Sequence, residues 1–316
     1  MKYIGLQAQK SNNNLKSMLL LILFPLLLVG LVYLFFFIIF NGYSGGKYLT
    51  HTNDAFLNSV LYVVLFVAVW FTIAYFFNTY IIKMATHSQP LSRKENKRVY
   101  NLVENLCMAN GMAMPKVNII YDDSLNAFAS GINEKTYTVT LTKGIIEKLD
   151  DDELEGVIAH ELSHIRNRDV RLLIVSIVFV GIFAFIAQMA LHTLRFSAFR
   201  RSGKDKGGGL AIILLLLALA GIGYGFSTLF RFAISRKREY LADAGAAEMT
   251  RKPQALANAL RKVSKDSRIE AITRDDVAQL FIEHPGEESK KSHSGLSSIF
   301  ATHPPIEKRI EILEQF

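Results

Sequence analysis

Four long apolar runs constrain how this chain can fold. They extend from about Ser17 to Phe40, Phe56 to Ile82, Val170 to Leu194 and Leu210 to Ile234. A helix rises about 1.5 Å per residue, so about twenty apolar residues span the roughly 30 Å of a bilayer's hydrocarbon core. Each run is long enough to cross as a helix. Together they explain why 50% of the 316 residues are hydrophobic, a share that is not that of a soluble protein. Lys2, Lys10 and Lys16 before the first run fit the basic start of a signal peptide. That run is about twice the usual signal length, however, and no small-residue cleavage site follows it, so it reads as a retained span.

The formal charge of +8 does not point to nucleic acid. Much of the basic excess flanks the apolar runs, at Lys2, Lys10 and Lys16 and again at Lys83, Arg93, Lys94, Lys97 and Arg98, where cations meet anionic headgroups. By the positive-inside rule the N-terminus and the stretch after Lys83 face the cytoplasm, with an even number of spans between them. The expectation is a multi-pass protein of the inner or plasma membrane. The basic loop holding Arg195, Arg200, Arg201, Lys204 and Lys206 opposes this orientation, unless the third and fourth runs do not simply cross. Cys107 is the lone cysteine, which excludes an internal disulfide and a cysteine-based metal site.

Between and after the apolar runs the chain turns polar. Residues 96–107 carry apolar positions at helical spacing, closed by Asn110-Gly111. Lys116–Tyr121 and Thr136–Thr142 have strand character, which predicts a small antiparallel sheet. Asp150 with Glu153 resembles a capping box opening a helix. After the fourth run, helices are expected over Ser235–Met249, Gln254–Ser264 and Pro304–Gln315, with a polar loop at Gly286–Ser298.

The helix opened by Asp150 carries His160-Glu-Leu-Ser-His164, which ends six residues before the apolar run starting at Val170. Positions i and i+4 lie one turn apart on one helix face, so both imidazoles can reach a single Zn²⁺. Glu161 lies about a hundred degrees round the helix, where its carboxylate can hold a water and take its proton. A third ligand is needed. Glu239 and Asp243, again at i and i+4, could divide the work, one ligating and the other accepting a hydrogen bond from a ligand histidine. They could equally be a solvated carboxylate pair beside Arg236, Lys237 and Arg238.

The stretch His160-Glu-Leu-Ser-His-Ile-Arg-Asn-Arg-Asp169, with Ser235-Arg-Lys-Arg-Glu-Tyr-Leu-Ala-Asp243, resembles the HtpX family of membrane zinc metalloproteases, which is related to the CAAX prenyl proteases. Asn126-Ala-Phe-Ala-Ser-Gly131 and Thr302-His-Pro-Pro305 followed by Arg309 are further matches, so the resemblance covers nearly the whole chain. It implies one Zn²⁺ per chain held by His160, His164 and Glu239, Glu161 as general base and acid, and Asp243 as partner of a ligand histidine. It also implies that an edge strand at Asn126-Ala127 holds the substrate backbone. His303 could stabilise the oxyanion or simply begin a helix with Pro304-Pro305. Tyr240 could serve similarly or pack between helices. Asn167 and Asp169 are expected to secure the helix or the split halves and receive no chemistry. His87, His192, His284 and His293 read as surface or interfacial residues.

The expected organisation is a mainly α membrane protein with a small antiparallel sheet and a gluzincin-like protease domain split by a membrane hairpin. Residues 1–85 form the first hairpin, 86–169 the first catalytic part, 170–234 the second hairpin and 235–316 the second catalytic part. Expected substrates are polypeptides, misfolded or damaged membrane proteins among them. The lipid bilayer and other quality-control proteases would be its partners, and the resting active site would be shielded. Two rivals are a CAAX-type processing protease and a scaffold or holdase stapled by zinc. Structural zinc sites close all four positions, often with cysteine, whereas only three ligands are evident here.

Overall fold

The structure, a computed structural model, describes residues 6–41, 46–199, 208–265 and 304–316. In chain order its elements are α1 (Leu6–Phe40), α2 (Tyr48–Thr86), β1 (Gln89–Pro90), α3 (Lys97–Ala109), β2 (Lys116–Ile120), β3 (Ala127–Ser130), β4 (Thr138–Thr142), α4 (Lys143–Lys148), α5 (Asp151–Arg166), α6 (Asp169–Phe199), α7 (Gly208–Thr250), α8 (Pro253–Val263) and α9 (Ile306–Leu313). His303, His284, His293 and the loop expected at Gly286–Ser298 lie outside the described residues. Two compact units are drawn from this chain. One comprises Lys16–Phe76 and Val175–Arg231, the other Met1–Leu15, Phe77–Ile174 and Phe232–Phe316.

The first of these units is helical. Among the described residues three stretches are long and apolar enough to cross a membrane, Asn14–Phe40, Tyr48–Thr86 and Asp169–Arg195, and Leu210–Phe226 is a shorter apolar stretch. The outward face of α2 presents Leu57, Tyr62 and Phe76 at 66%, 72% and 73% exposure. In water such a surface would aggregate; in lipid it is solvated. Inside the unit, Phe24 stacks on Phe179 with ring centroids 4.4 Å apart, and the Trp70 indole donates to the Val178 carbonyl at 3.2 Å.

The second unit carries the sheet, in the order β1-β2-β4-β3. It is mixed rather than wholly antiparallel: β1–β2 and β3–β4 are antiparallel, whereas β2 and β4 run parallel in the register Lys116↔Thr138 to Ile120↔Thr142. A parallel pair needs a long connection. Here residues 121–137 supply it, and β3, formed within that connection, folds back along the outer edge of β4. Two alternating runs cannot reveal such a detour.

Helix α5 begins as expected. Asp150 accepts from the Glu153 amide at 2.9 Å, and the Glu153 carboxylate accepts from the Asp150 amide at 3.1 Å. Asp151, Asp152 and Glu153 place negative charge where the helix dipole is positive. Leu154, Val157, Ile158 and Leu162 are fully buried, and α5 packs against β3, β4, α3 and α8. At Gly156 an added Cβ would come within 3.2 Å of the Leu256 backbone, so the missing side chain permits the close crossing with α8. Helix α7 is continuous from Gly208 to Thr250, whereas the sequence suggested a separate helix starting at Ser235.

Candidate metal centre

Three elements of the second unit converge on one point. Helix α5 contributes His160, Glu161 and His164, α7 contributes Glu239 and Asp243, and the first residue of α6 is Asp169. Their approach depends on Gly245, two residues beyond Asp243: a Cβ there would lie 2.2 Å from the Ser163 Oγ. Glycine at 245 thus lets α7 lie directly against the turn of α5 that carries both histidines.

His160 and His164 bring their Nε2 atoms 3.2 Å apart, with rings perpendicular. The His160 Nε2 lies 3.6 Å from Glu239 Oε2, and the His164 Nε2 lies 3.6 Å from Glu239 Oε1. Ligand atoms of all three residues fall within 4.8 Å of one another, so they form a group that can hold a metal ion. Zinc bonds of about 2.0–2.1 Å in tetrahedral array place ligand atoms roughly 3.3–3.4 Å apart, and the observed separations fit that scale. Two imidazoles and one carboxylate, with no thiolate, are a donor set of hydrolytic rather than structural zinc sites.

Both histidines are oriented from behind. The His160 Nδ1 is 2.9 Å from Asp243 Oδ1, and the His164 Nδ1 is 3.2 Å from Asp169 Oδ2. An ionised carboxylate only accepts, so each Nδ1 carries a proton and each Nε2 is the nitrogen left to face the metal position. Asp169 is itself held by Arg238, whose Nη1 donates to the Asp169 carbonyl at 3.1 Å. Arg309 of α9, 1% exposed, pairs with Asp243 through two hydrogen bonds of 2.9 and 2.8 Å.

Burial alone would depress the His160 pKa, but hydrogen bonds to Asp243 and Glu239 outweigh it and lift the imidazole to about 9. Asp243 is held below the ordinary carboxylate range: its pairing with Arg309 and His160 overcomes the burial that opposes ionisation. Glu161 is raised, chiefly by burial, although His160, His164 and Arg309 pull the other way. A buried carboxyl of raised basicity beside a metal group is suited to taking a proton.

The edge strand β3 flanks this helix. The Thr142 amide donates to the Asn126 carbonyl at 3.0 Å, which marks Asn126 and Thr142 as a hydrogen-bonded pair. Antiparallel pairs alternate, so Phe128 and Ser130 also direct their backbone toward β4, and Ala127 and Ala129 direct theirs away from it. The Asn126 side chain sits at this edge, its Oδ1 accepting from the Ala127 amide at 3.0 Å. The structure therefore brings together His160, Glu161, His164, Glu239 and Asp243, with Asn126-Ala127 on the strand packed against α5. Tyr240 is half-buried and Asn167 caps α5. Sequence reasoning assigned no chemistry to Asp169 or Arg309. For Asp169 a signal existed, an acidic residue five positions past the second histidine, but nothing short of the chain's turn at Arg168 could show it folding back.

Comparison with known proteins decides the family. The family model described as Peptidase family M48 matches residues 93–316. This chain belongs to peptidase family M48. Its relatives include a protease HtpX homolog of Bacteroides fragilis, 64% identical across 100% of both chains. Another HtpX homolog, from Dictyoglomus thermophilum, is 40% identical over 78% of this chain and 80% of that protein. In fold, the chain is similar to the crystal structure of S. mikatae Ste24p, with a TM-score of 0.50 at 19% identity, covering 96% of this chain and 67% of the other. The M48 membership makes the protein a metalloprotease acting on polypeptides, and its apolar helices mark it as an integral membrane protein.

Proposed function

We propose that the protein is a zinc endopeptidase that cleaves membrane-associated polypeptides, with His160, His164 and Glu239 as the metal ligands. The observation that carries this reading is the mutual spacing of those three side chains, each imidazole backed by its own carboxylate. When bound, zinc supplies Lewis acidity at the position these donors surround. Glu161 takes the proton of the attacking water and passes it to the leaving amine. Asp243 and Asp169 keep both imidazoles in one tautomer throughout. The outward backbone groups of Ala129 and the Ala127 carbonyl add the substrate as a further strand, and the Asn126 side chain, which holds the Ala127 amide, orients that edge. The small side chains of those alanines permit a close approach. Substrates bound this way must be extended, which favours unfolded segments and loops and supports a quality-control role.

Shielding is part of this reading: His160 is fully buried, Glu161, Glu239, Ala127 and Ala129 are all under 7% exposed, and access requires an opening step. The apolar run that starts at Val170 directly after Asp169 favours cutting close to the bilayer. The basic residues around Lys83–Arg98 favour a cytoplasmic catalytic half, with 86–169 and 235–316 as its two parts. The test is metal depletion and return. Detergent-purified protein stripped by a chelator should lose cleavage of an unfolded protein such as casein and regain it with one equivalent of zinc. Full cleavage by the stripped protein would refute the proposal.

A further inference from the structure

We propose that Arg309 is a positioning residue of the metal centre, locking Asp243 and through it His160, so that the centre is complete only with the C-terminal helix α9 docked. This rests on the reading of His160, His164 and Glu239 as zinc ligands. Arg309 is 1% exposed and heads the largest fully buried side chains of the described residues. Burying a guanidinium is costly unless its donors are matched, so its partners show what the placement achieves. Its Nε donates to Asp243 Oδ2 at 2.9 Å and its Nη2 to Asp243 Oδ1 at 2.8 Å, the two-pronged geometry that fixes a carboxylate in plane and rotation. That same Oδ1 accepts from His160 Nδ1 at 2.9 Å. The Arg309 Nη1 lies 3.6 Å from Glu239 Oε2, and Nη2 lies 3.4 Å from His160 Nε2. One guanidinium thus bridges the two acidic residues that α7 presents a turn apart, and it touches the ring of a ligand.

Docking a short helix needs no buried cation. Helix α9 already packs on α8, buries Leu313 to 1% exposure and is tied by the pair Arg261–Glu314. An apolar side chain at 309 would add to that anchor without the desolvation cost. Arginine there does what an apolar residue cannot: it holds Asp243 in the one rotation that serves His160. If docking of α9 favours zinc, zinc must favour docking of α9 by the same factor.

The experiment uses the full chain in detergent and measures zinc affinity by competition with a chromophoric chelator. Arg309→Gln is expected to weaken zinc roughly 10–100-fold, the usual effect of losing a residue that orients a ligand. Leu313→Ala, which loosens α9 but leaves Arg309 in place on Asp243, should lower thermal stability and, through that linkage, weaken zinc by less than Arg309→Gln does. In wild type, hydrogen exchange over residues 306–313 should quicken when zinc is removed. In Arg309→Gln the zinc-dependent difference should vanish. If Arg309→Gln does not fold, Arg309→Lys carries the test: a point charge cannot span both oxygens, so its affinity should still fall several-fold. Unchanged affinity in the Arg309 variants, or an equal loss in Leu313→Ala, would overturn the assignment. A wild-type protein that binds no zinc would instead sink the ligand reading beneath it.

Discussion

Replacing Asp169 by Asn isolates the charge of the residue behind His164. The Asp169 Oδ2 lies 3.2 Å from His164 Nδ1, and the side chain is 2% exposed, so water cannot substitute for it. Asn can still accept from Nδ1, but without the charge. A hydrogen bond to a charged partner contributes about 1.5–3 kcal/mol and a neutral one about 0.5–1.5, so the substitution removes about 1–1.5 kcal/mol. If that support is felt mainly by the metal-bound form, zinc affinity should fall roughly fivefold to tenfold. Asp169→Ala removes the acceptor altogether and should cost roughly 10–100-fold. Because the Asp169 charge also sits in the first turn of α6, Asn and Ala should both lower stability as well, by about 0.3–1 kcal/mol. Chelator-competition titration on the detergent-purified variants measures the affinities, and thermal unfolding followed by circular dichroism measures stability. Wild-type zinc affinity in both variants would show that Asp169 does not orient His164. A larger loss in Asn than in Ala would show that charge is not what it supplies.

Three further outcomes are expected. Gly245→Ala forces a Cβ toward Ser163, so overpacking of about 1–3 kcal/mol should lower stability and weaken zinc together; unfolding and metal titrations check both. Ala129→Pro removes an N–H that faces away from β4, so KM for an extended peptide should rise while zinc content stays at the wild-type level; an unchanged KM would place the substrate elsewhere. In chelated protein the His160 pKa is raised from 6.5 to about 9, so its stabilising contribution is complete below pH 6.5 and is lost as pH rises through about 9. Melting temperatures of the apoprotein across that window should therefore decline, and a His160→Ala variant should lack that part of the decline.

Much of the site was legible because it is written locally. The i, i+4 spacing of His160 and His164, and of Glu239 and Asp243, fixes which side chains share a helix face before any fold is known, and the Asp150–Glu153 box marks where the first of those helices starts. What joins the two helices is not local. That α7 lies against α5 depends on Gly245 meeting Ser163 across more than eighty residues, and a lone glycine in a helical pattern announces no partner. Asp169 could be given no chemistry from its place in the chain because its contact with His164 follows from the left-handed backbone of Arg168, at φ +61°. The parallel pairing of β2 with β4 was hidden for a related reason. Alternation reports which face of a strand is buried, not which neighbour it takes. Arg309 in an amphipathic helix resembles any solvated arginine until its burial is seen.

In the proposed mechanism Glu161 performs proton transfer at a zinc site built by His160, His164 and Glu239. Its most direct test compares wild type with Glu161→Gln, measuring bound zinc and casein cleavage on the same detergent-purified samples. The expected result is about one zinc per chain in both proteins, with cleavage lost only from the variant. Cleavage by Glu161→Gln at the wild-type rate, with zinc retained, would contradict it.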